Sequence, residues 1–135
     1  MIKGAGFGKE IVVTSQNKIG LLDKISKLVA NSAINIHGVA GYAMDGEAKI
    51  TMVTSDFTRA KEALQAAGFS VSESDVIVLE LENKMGALKI VTEKLAAENI
   101  DIRYIYGTVC LGSCAARLIL STSDNQKALV TFKKK

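Results

Sequence analysis

The sequence predicts an α+β fold made of two tandem βαββα-type units. Two observations predict it: an internal repeat spaced by 66 residues, and short β-branched runs that alternate with amphipathic helical patterns inside each copy. Displacing the 135-residue chain by 66 lays Asn17-Lys18-Ile19-Gly20-Leu21-Leu22 over Asn83-Lys84-Met85-Gly86-Ala87-Leu88. The match runs without a gap to Gly41 over Gly107, with identities at Asn17, Lys18, Gly20, Leu22, Ala30, Ile34, Ile36 and Gly41. Past Gly41 the second copy gains two residues, where a hairpin turn is expected and length changes are tolerated. Thr54-Ser55-Asp56 then falls on Thr122-Ser123-Asp124. The expected units are residues 9–74 and 75–135.

Each element follows in order. Ile11-Val12-Val13 and Val76-Ile77-Val78-Leu79 read as strands buried on at least one face. Ile19, Leu22, Ile25, Leu28 and Val29 share one helical face, as do Met85, Leu88, Val91 and Leu95. Asn17 and Asn83 precede these helices and suit N-caps. Ile34-Asn35-Ile36 and Ile100-Asp101-Ile102 alternate as strands do, Gly46 and Gly112 mark hairpin turns, and 49–54 and 116–121 are return strands. Asp56 and Asp124 cap second helices. Gly68 stops the first of these, and Phe69-Ser70-Val71-Ser72 is a short fourth strand. The order is then βαββαβ, the ferredoxin-like arrangement, with antiparallel sheets and helices on one face. The second copy offers two readings. Either Lys127, Ala128 and Leu129 open a helix after Asp124 and the last strand is lacking, the reading favoured because it keeps the repeat in register, or Leu129-Val130-Thr131-Phe132 is that strand and the helix is stunted.

Composition limits what such a chain does. A hydrophobic fraction of 48% is enough for a real core. Lys133, Lys134 and Lys135 account for the whole net charge of +3, so the basic balance describes a tail and gives no support to nucleic-acid binding. No apolar run has membrane-spanning length and the first residues lack a signal-peptide core, which leaves the cytoplasm as the expected location and no membrane as a partner. Cys110 and Cys114 flank a Gly-Ser turn with no histidine nearby. They read as free thiols, and no metal or other cofactor is expected.

The repeated Asn-x-x-Gly-x-Leu loop is the best functional candidate. A helix N-terminus offers unpaired N–H groups and the positive end of a dipole, so it can hold a carboxylate without a cation. Gly20 and Gly86 remove a Cβ where a ligand would meet the backbone, and the amides of Asn17 and Asn83 can both donate and accept. Asn35 or Asp101, on the next strand, adds a further polar contact. The plainer reading is that the asparagines cap helices and the glycines ease packing.

These residues carry a resemblance. Asn-x-x-Gly-x-Leu, a helix ending in Ala, and then Ile-Asn-Ile or Ile-Asp-Ile resemble the ACT-domain signature, and the layout is similar to stand-alone tandem ACT proteins over nearly all of residues 9–133. The resemblance implies a regulatory module that pairs edge to edge and binds an amino acid or similar small zwitterion at the seam, with a separate chain as the regulated partner. It maps ligand contacts onto Asn17 and Asn35, and onto Asn83 in the second copy. The site expected on this basis comprises Asn17, Ile19, Gly20, Leu21 and Asn35 in one copy and Asn83, Met85, Gly86, Ala87 and Asp101 in the other. The first loop keeps the resemblance fully, whereas Asp101 replaces the second-strand asparagine and faces competition from Arg103. The family's loop commonly has Pro before the Gly, where this chain has Ile19 and Met85.

An enzyme is not expected. One histidine, no arginine in either loop and no nucleophile–base grouping leave little catalytic equipment, so no catalytic residue is assigned. An RNA-recognition module needs strand aromatics that the central strands lack. The alternative to a sensor is a ligand-free interaction domain. If the last strand is lacking, one sheet edge is unpaired. A homodimer would then cover it, unless the segment before Glu10 does so.

Overall fold

The computed structural model describes residues 1–109, 112 and 114–134. Its elements are β1 (Ile2–Gln16), α1 (Leu21–Asn31), β2 (Ile36–Met44), β3 (Glu47–Thr54), α2 (Phe57–Ala66), β4 (Ser70–Leu81), α3 (Ala87–Ala97), β5 (Ile102–Thr108), β6 (Ala116–Thr122) and α4 (Asn125–Lys133). They form two compact units, Lys9–Ser74 and Met1–Gly8 with Asp75–Lys135.

The Lys9–Ser74 unit has strand order β2-β3-β1-β4. Both β1 and β2 pair antiparallel with β3, with Val13 and Gly41 opposite Ile50. Alternation puts Ile11 and Val13 of β1 on the helix side, where they are buried with Ile50 and Met52 against Ile25 and Val29 of α1 and Ala60 and Leu64 of α2. Each large side chain buried here contributes roughly 1.5–3 kcal/mol of transfer free energy. The β2–β3 hairpin closes through Asp45 and Gly46, whose φ values of 54° and 78° are those of the two-residue turn that suits the strand twist.

The second unit repeats this plan with one exchange. Its strand order is β1-β4-β6-β5, and the β1 residues it contains are Ile2–Gly8. Ile77, Leu79, Leu81, Val91, Leu95, Leu120 and Phe132 form its core, with Ile2 and Ala5 packed against it. The expected missing strand is therefore present, but it comes from the other side of the first repeat. The same observation removes the unpaired edge on which dimerisation was argued. Residues 125–132 are helical, in α4, as the repeat register requires.

One expected break does not exist, and one strand is longer than expected. Ser70–Ser72 and Val76–Leu79, read as parts of separate strands, both belong to β4, which begins at Ser70, one residue after Phe69. Likewise β1 extends from Ile2, well before Ile11. Asp56 accepts a hydrogen bond from the Arg59 N–H at 3.1 Å, and Asp124 from the Lys127 N–H at 3.0 Å, so both cap their helices. Asn17 and Asn83 do not. The N-caps of α1 and α3 are Gly20 and Gly86, with no side-chain hydrogen bond at either. Among the described residues no helix is long and apolar enough to cross a membrane.

Candidate functional site

Each unit carries a pocket where its first loop meets its hairpin strands. In the Lys9–Ser74 unit a pocket of about 390 Å³ lies between Asn17, Lys18, Gly20 and Leu21 of the loop and Gly41, Tyr42 and Ile50 of β2 and β3. In the other unit a pocket of about 360 Å³ lies between Asn83, Lys84 and Ala87 and Gly107, Thr108 and Leu118 of β5 and β6. These are the same positions of the repeat. The duplication has thus preserved a concavity as well as a fold.

Local chemistry shapes the loop. The Asn17 N–H donates to the Gly46 carbonyl at 2.9 Å, which ties the loop to the hairpin turn. The Leu21 N–H donates to Lys18 O at 3.2 Å and Lys24 N–H to Gly20 O at 3.0 Å. Between them, the Leu22 and Asp23 N–H groups meet no acceptor among the described residues, and they form the free N-terminal turn of α1. In the second copy Ala87 and Ile90 make the equivalent bonds to Lys84 and Gly86 at 3.2 and 3.1 Å. Gly20 and Gly86 have φ of 89° and 85°, the left-handed region that glycine enters at no steric cost. Their first role is this backbone turn. A Gly20→Val substitution therefore strains the chain before it obstructs any ligand.

Strand glycines set the floor. A Cβ on Gly41 would stand 2.7 Å from Ile50 Cδ1. One on Gly107 would collide with Leu118 Cδ2 and lie 2.8 Å from the Arg117 carbonyl. Gly107 thus requires glycine for close strand approach, whereas at Gly41 only a side-chain end stands in the way, and both glycines leave space beneath the loop.

The expected site residues separate into three groups. Asn17, Gly20, Leu21, Asn83 and Ala87 line the two pockets. Gly86 sits at the N-cap beside them. Ile19 and Met85 do not line them; they are fully exposed, at 108% and 96%. Leu22 and Leu88, expected on a buried face, are also exposed, at the second residue of each helix, where they line the pockets. Asn35 and Asp101 lie at the opposite end of their units. The Asn35 N–H is held by Ser55 Oγ at 2.9 Å and the Asp101 N–H by Ser123 Oγ at 3.0 Å. Since Ile36 pairs with Thr54 while Asn17 meets Gly46, Asn35 is separated from the loop by the length of β2, roughly 25 Å at 3.3 Å per residue. Neither unit brings these residues to its own loop. No ion pair links Asp101 to Arg103 among the described residues. Sequence reasoning missed Tyr42, Ile50, Thr108 and Leu118 as pocket walls, although the repeated Gly41 and Gly107 pointed to that place.

Charge distinguishes the copies. Glu82 lines the second pocket and takes Lys84 Nζ at 2.9 Å. This hydrogen bond, helped by the N-terminal ammonium, holds the exposed Glu82 carboxyl below its ordinary value of 4.5. Lys18 lines the first pocket with no carboxylate among the lining residues.

A family model described as an ACT domain pair matches residues 9–134. The chain belongs to that family. Among solved structures, this ACT pair is similar to protein BT0572 from Bacteroides thetaiotaomicron, with a TM-score of 0.88 at 26% identity over 96% of this chain and 88% of that one. It is also similar to the ligand-free regulatory subunit of aspartate kinase from Thermus thermophilus, with a TM-score of 0.67 at 14% identity over 97% and 95% of the two chains. A structure of aspartokinase alpha and beta subunits gives a TM-score of 0.64 at 15% identity over 98% and 93%. At these identities the two kinase likenesses concern the fold. No curated protein matches the chain.

One residue near the second pocket of the ACT pair departs from expectation. Cys114 is disulfide-bonded, which corrects the reading of free thiols. Cys110 lies outside the described residues.

Proposed function

We propose that this ACT pair is a cytoplasmic, non-enzymatic sensor that binds an amino acid or similar small zwitterion at its loop pockets and regulates a separate protein. The observation that carries this reading is the pocket kept in both copies, with a free helix N-terminus on one side and a glycine floor on the other. A carboxylate fits the Leu22 and Asp23 N–H groups, where the helix dipole contributes about 0.3–1 kcal/mol. The Asn17 amide, which makes no side-chain bond among the described residues, suits the ammonium. We assign the tighter site to the first loop, because Lys18 adds a positive charge there while Lys84 is engaged by Glu82.

A homodimer is part of the proposal. The exposed pairs Ile19 and Leu22, and Met85 and Leu88, stand beside the pockets and suit a contact with the loop of a second copy. The resemblance implies a ligand at a seam of that kind, and Asn35 or Asp101 of a second copy would then complete it.

Calorimetric titration with the common amino acids tests the reading, on the parent and on Asn17→Ala and Asn83→Ala. Asn17→Ala removes a side chain that caps nothing, so stability should hold while binding weakens at least about tenfold, as for a lost charge-assisted hydrogen bond. If no common amino acid binds, the ligand-free interaction domain is the correct reading instead.

A further inference from the structure

Lys133 and Lys134 are exposed, yet they belong to the end of a helix. Lys133 is the last residue of α4 and Lys134 its C-cap. Both line a second kind of pocket in the Met1–Gly8 and Asp75–Lys135 unit, about 680 Å³ in volume and distinct from the loop pocket. Lys3 of β1 and Lys94 of α3 also line it. Four lysines, from β1, α3 and the C-terminal end of α4, therefore line one cavity, and no Asp or Glu is among its lining residues. None of the four makes an ion pair among the described residues. Lys94 Nζ donates to the Lys134 carbonyl at 3.3 Å, which holds α3 and the end of α4 together at the rim. Ile90 and Phe132 give the cavity an apolar wall.

The repeat shows that this is no general property of the fold. Positions 90, 94, 132, 133 and 134 correspond to Lys24, Leu28, Leu64, Gln65 and Ala66, so the first copy keeps only one cation there. In that copy Phe69 and Val71, which follow α2 directly, pack on the core, and Lys24 Nζ lies over the Phe69 ring at 5.4 Å. In the second unit the corresponding strand is Ile2–Gly8, which arrives from elsewhere in the sequence, and the equivalent gap stays open.

We infer that this cavity is a binding site for a small polyphosphorylated anion, separate from the amino-acid reading of the loop pockets. Uncompensated ammonium groups gain most from a ligand with several negative charges, and lysine binds phosphate as a point charge without a fixed geometry. The wall of Ile90 and Phe132 suits an organic group attached to those phosphates.

The test is calorimetry at low ionic strength on the full chain, with inorganic tripolyphosphate and with ATP as probes. Both should bind with an affinity that falls as salt rises. Tighter binding of ATP marks an organic phosphate as the natural source, and equal binding marks free polyphosphate. The triple substitution Lys3→Gln, Lys94→Gln and Lys133→Gln should weaken both by at least about tenfold. A control triple on the other unit, Lys24→Gln, Lys27→Gln and Lys49→Gln, should leave them unchanged, with circular dichroism confirming that both variants fold. Failure of both probes to bind at millimolar concentration overturns the inference. So does an equal loss in the two triple variants, which would make the attraction one of net charge. Binding to phosphatidylserine vesicles with no binding of either soluble probe also overturns it, in favour of a membrane contact.

Discussion

Gly41 and Gly107 occupy the same place in the repeat, opposite Ile50 and Leu118, yet adding one methyl group should cost very different amounts. At Gly41 the new Cβ meets only Ile50 Cδ1, the far end of a side chain beside an open pocket. A rotamer change relieves it, and alanine regains part of the strand entropy that glycine loses, about 0.5–1 kcal/mol. Gly41→Ala should therefore be within about 1 kcal/mol of the parent. At Gly107 the new Cβ meets the Arg117 carbonyl at 2.8 Å and Leu118 Cα at 3.6 Å, so backbone must move and β5 must part from β6. Overpacking of that kind costs about 1–3 kcal/mol. At roughly 4–8 °C per kcal/mol for a domain of this size, a loss of about 2 kcal/mol lowers the melting temperature by about 10 °C. Scanning calorimetry on the two variants measures both. If Gly41→Ala loses as much stability as Gly107→Ala, the distinction between side-chain and backbone obstruction is wrong.

Two further outcomes follow from the second unit. Deleting residues 2–8 should bare the edge of β4, lower the stability of that unit selectively and raise the sedimenting mass through strand pairing, whereas an unchanged melting profile and mass would show that this strand contributes nothing. The Glu82 carboxyl should titrate below 4.5 by NMR and return towards it in Lys84→Gln; since its folded pKa is depressed, its stabilising contribution is present at neutral pH and fades as pH falls through that lowered value.

Much of this was legible in the sequence, and the rest was hidden for identifiable reasons. The repeat gave α1 to α4, the hairpins and both Asp caps, because each rests on a local pattern. The first half of β1 was not legible. Lys3-Gly4-Ala5-Gly6-Phe7-Gly8 is rich in a residue depleted from strands, and its extended state comes from pairing with β4, a long-range contact that periodicity does not carry. The asparagines were misread as caps because an apolar residue after Asn resembles a helix start, while the left-handed turn at Gly20 and Gly86 delays that start. The same delay left Ile19 and Met85 in solvent. Asn35 and Asp101 are expected at the loops as polar residues of the next strand and by the resemblance, and within a unit the strand length keeps them apart.

The strand exchange also dictates an order of folding. Closing a flexible loop over residues 9–74 would cost about 4 kcal/mol in chain entropy. The first repeat removes most of that cost once folded, since β1 and β4 are neighbours in it and Ser74 Oγ donates to Glu10 Oε1 at 3.1 Å. During synthesis the Lys9–Ser74 unit can fold as soon as it emerges. Residues 1–8 precede that unit in the chain, so they pair only after residues 75–81 have followed it.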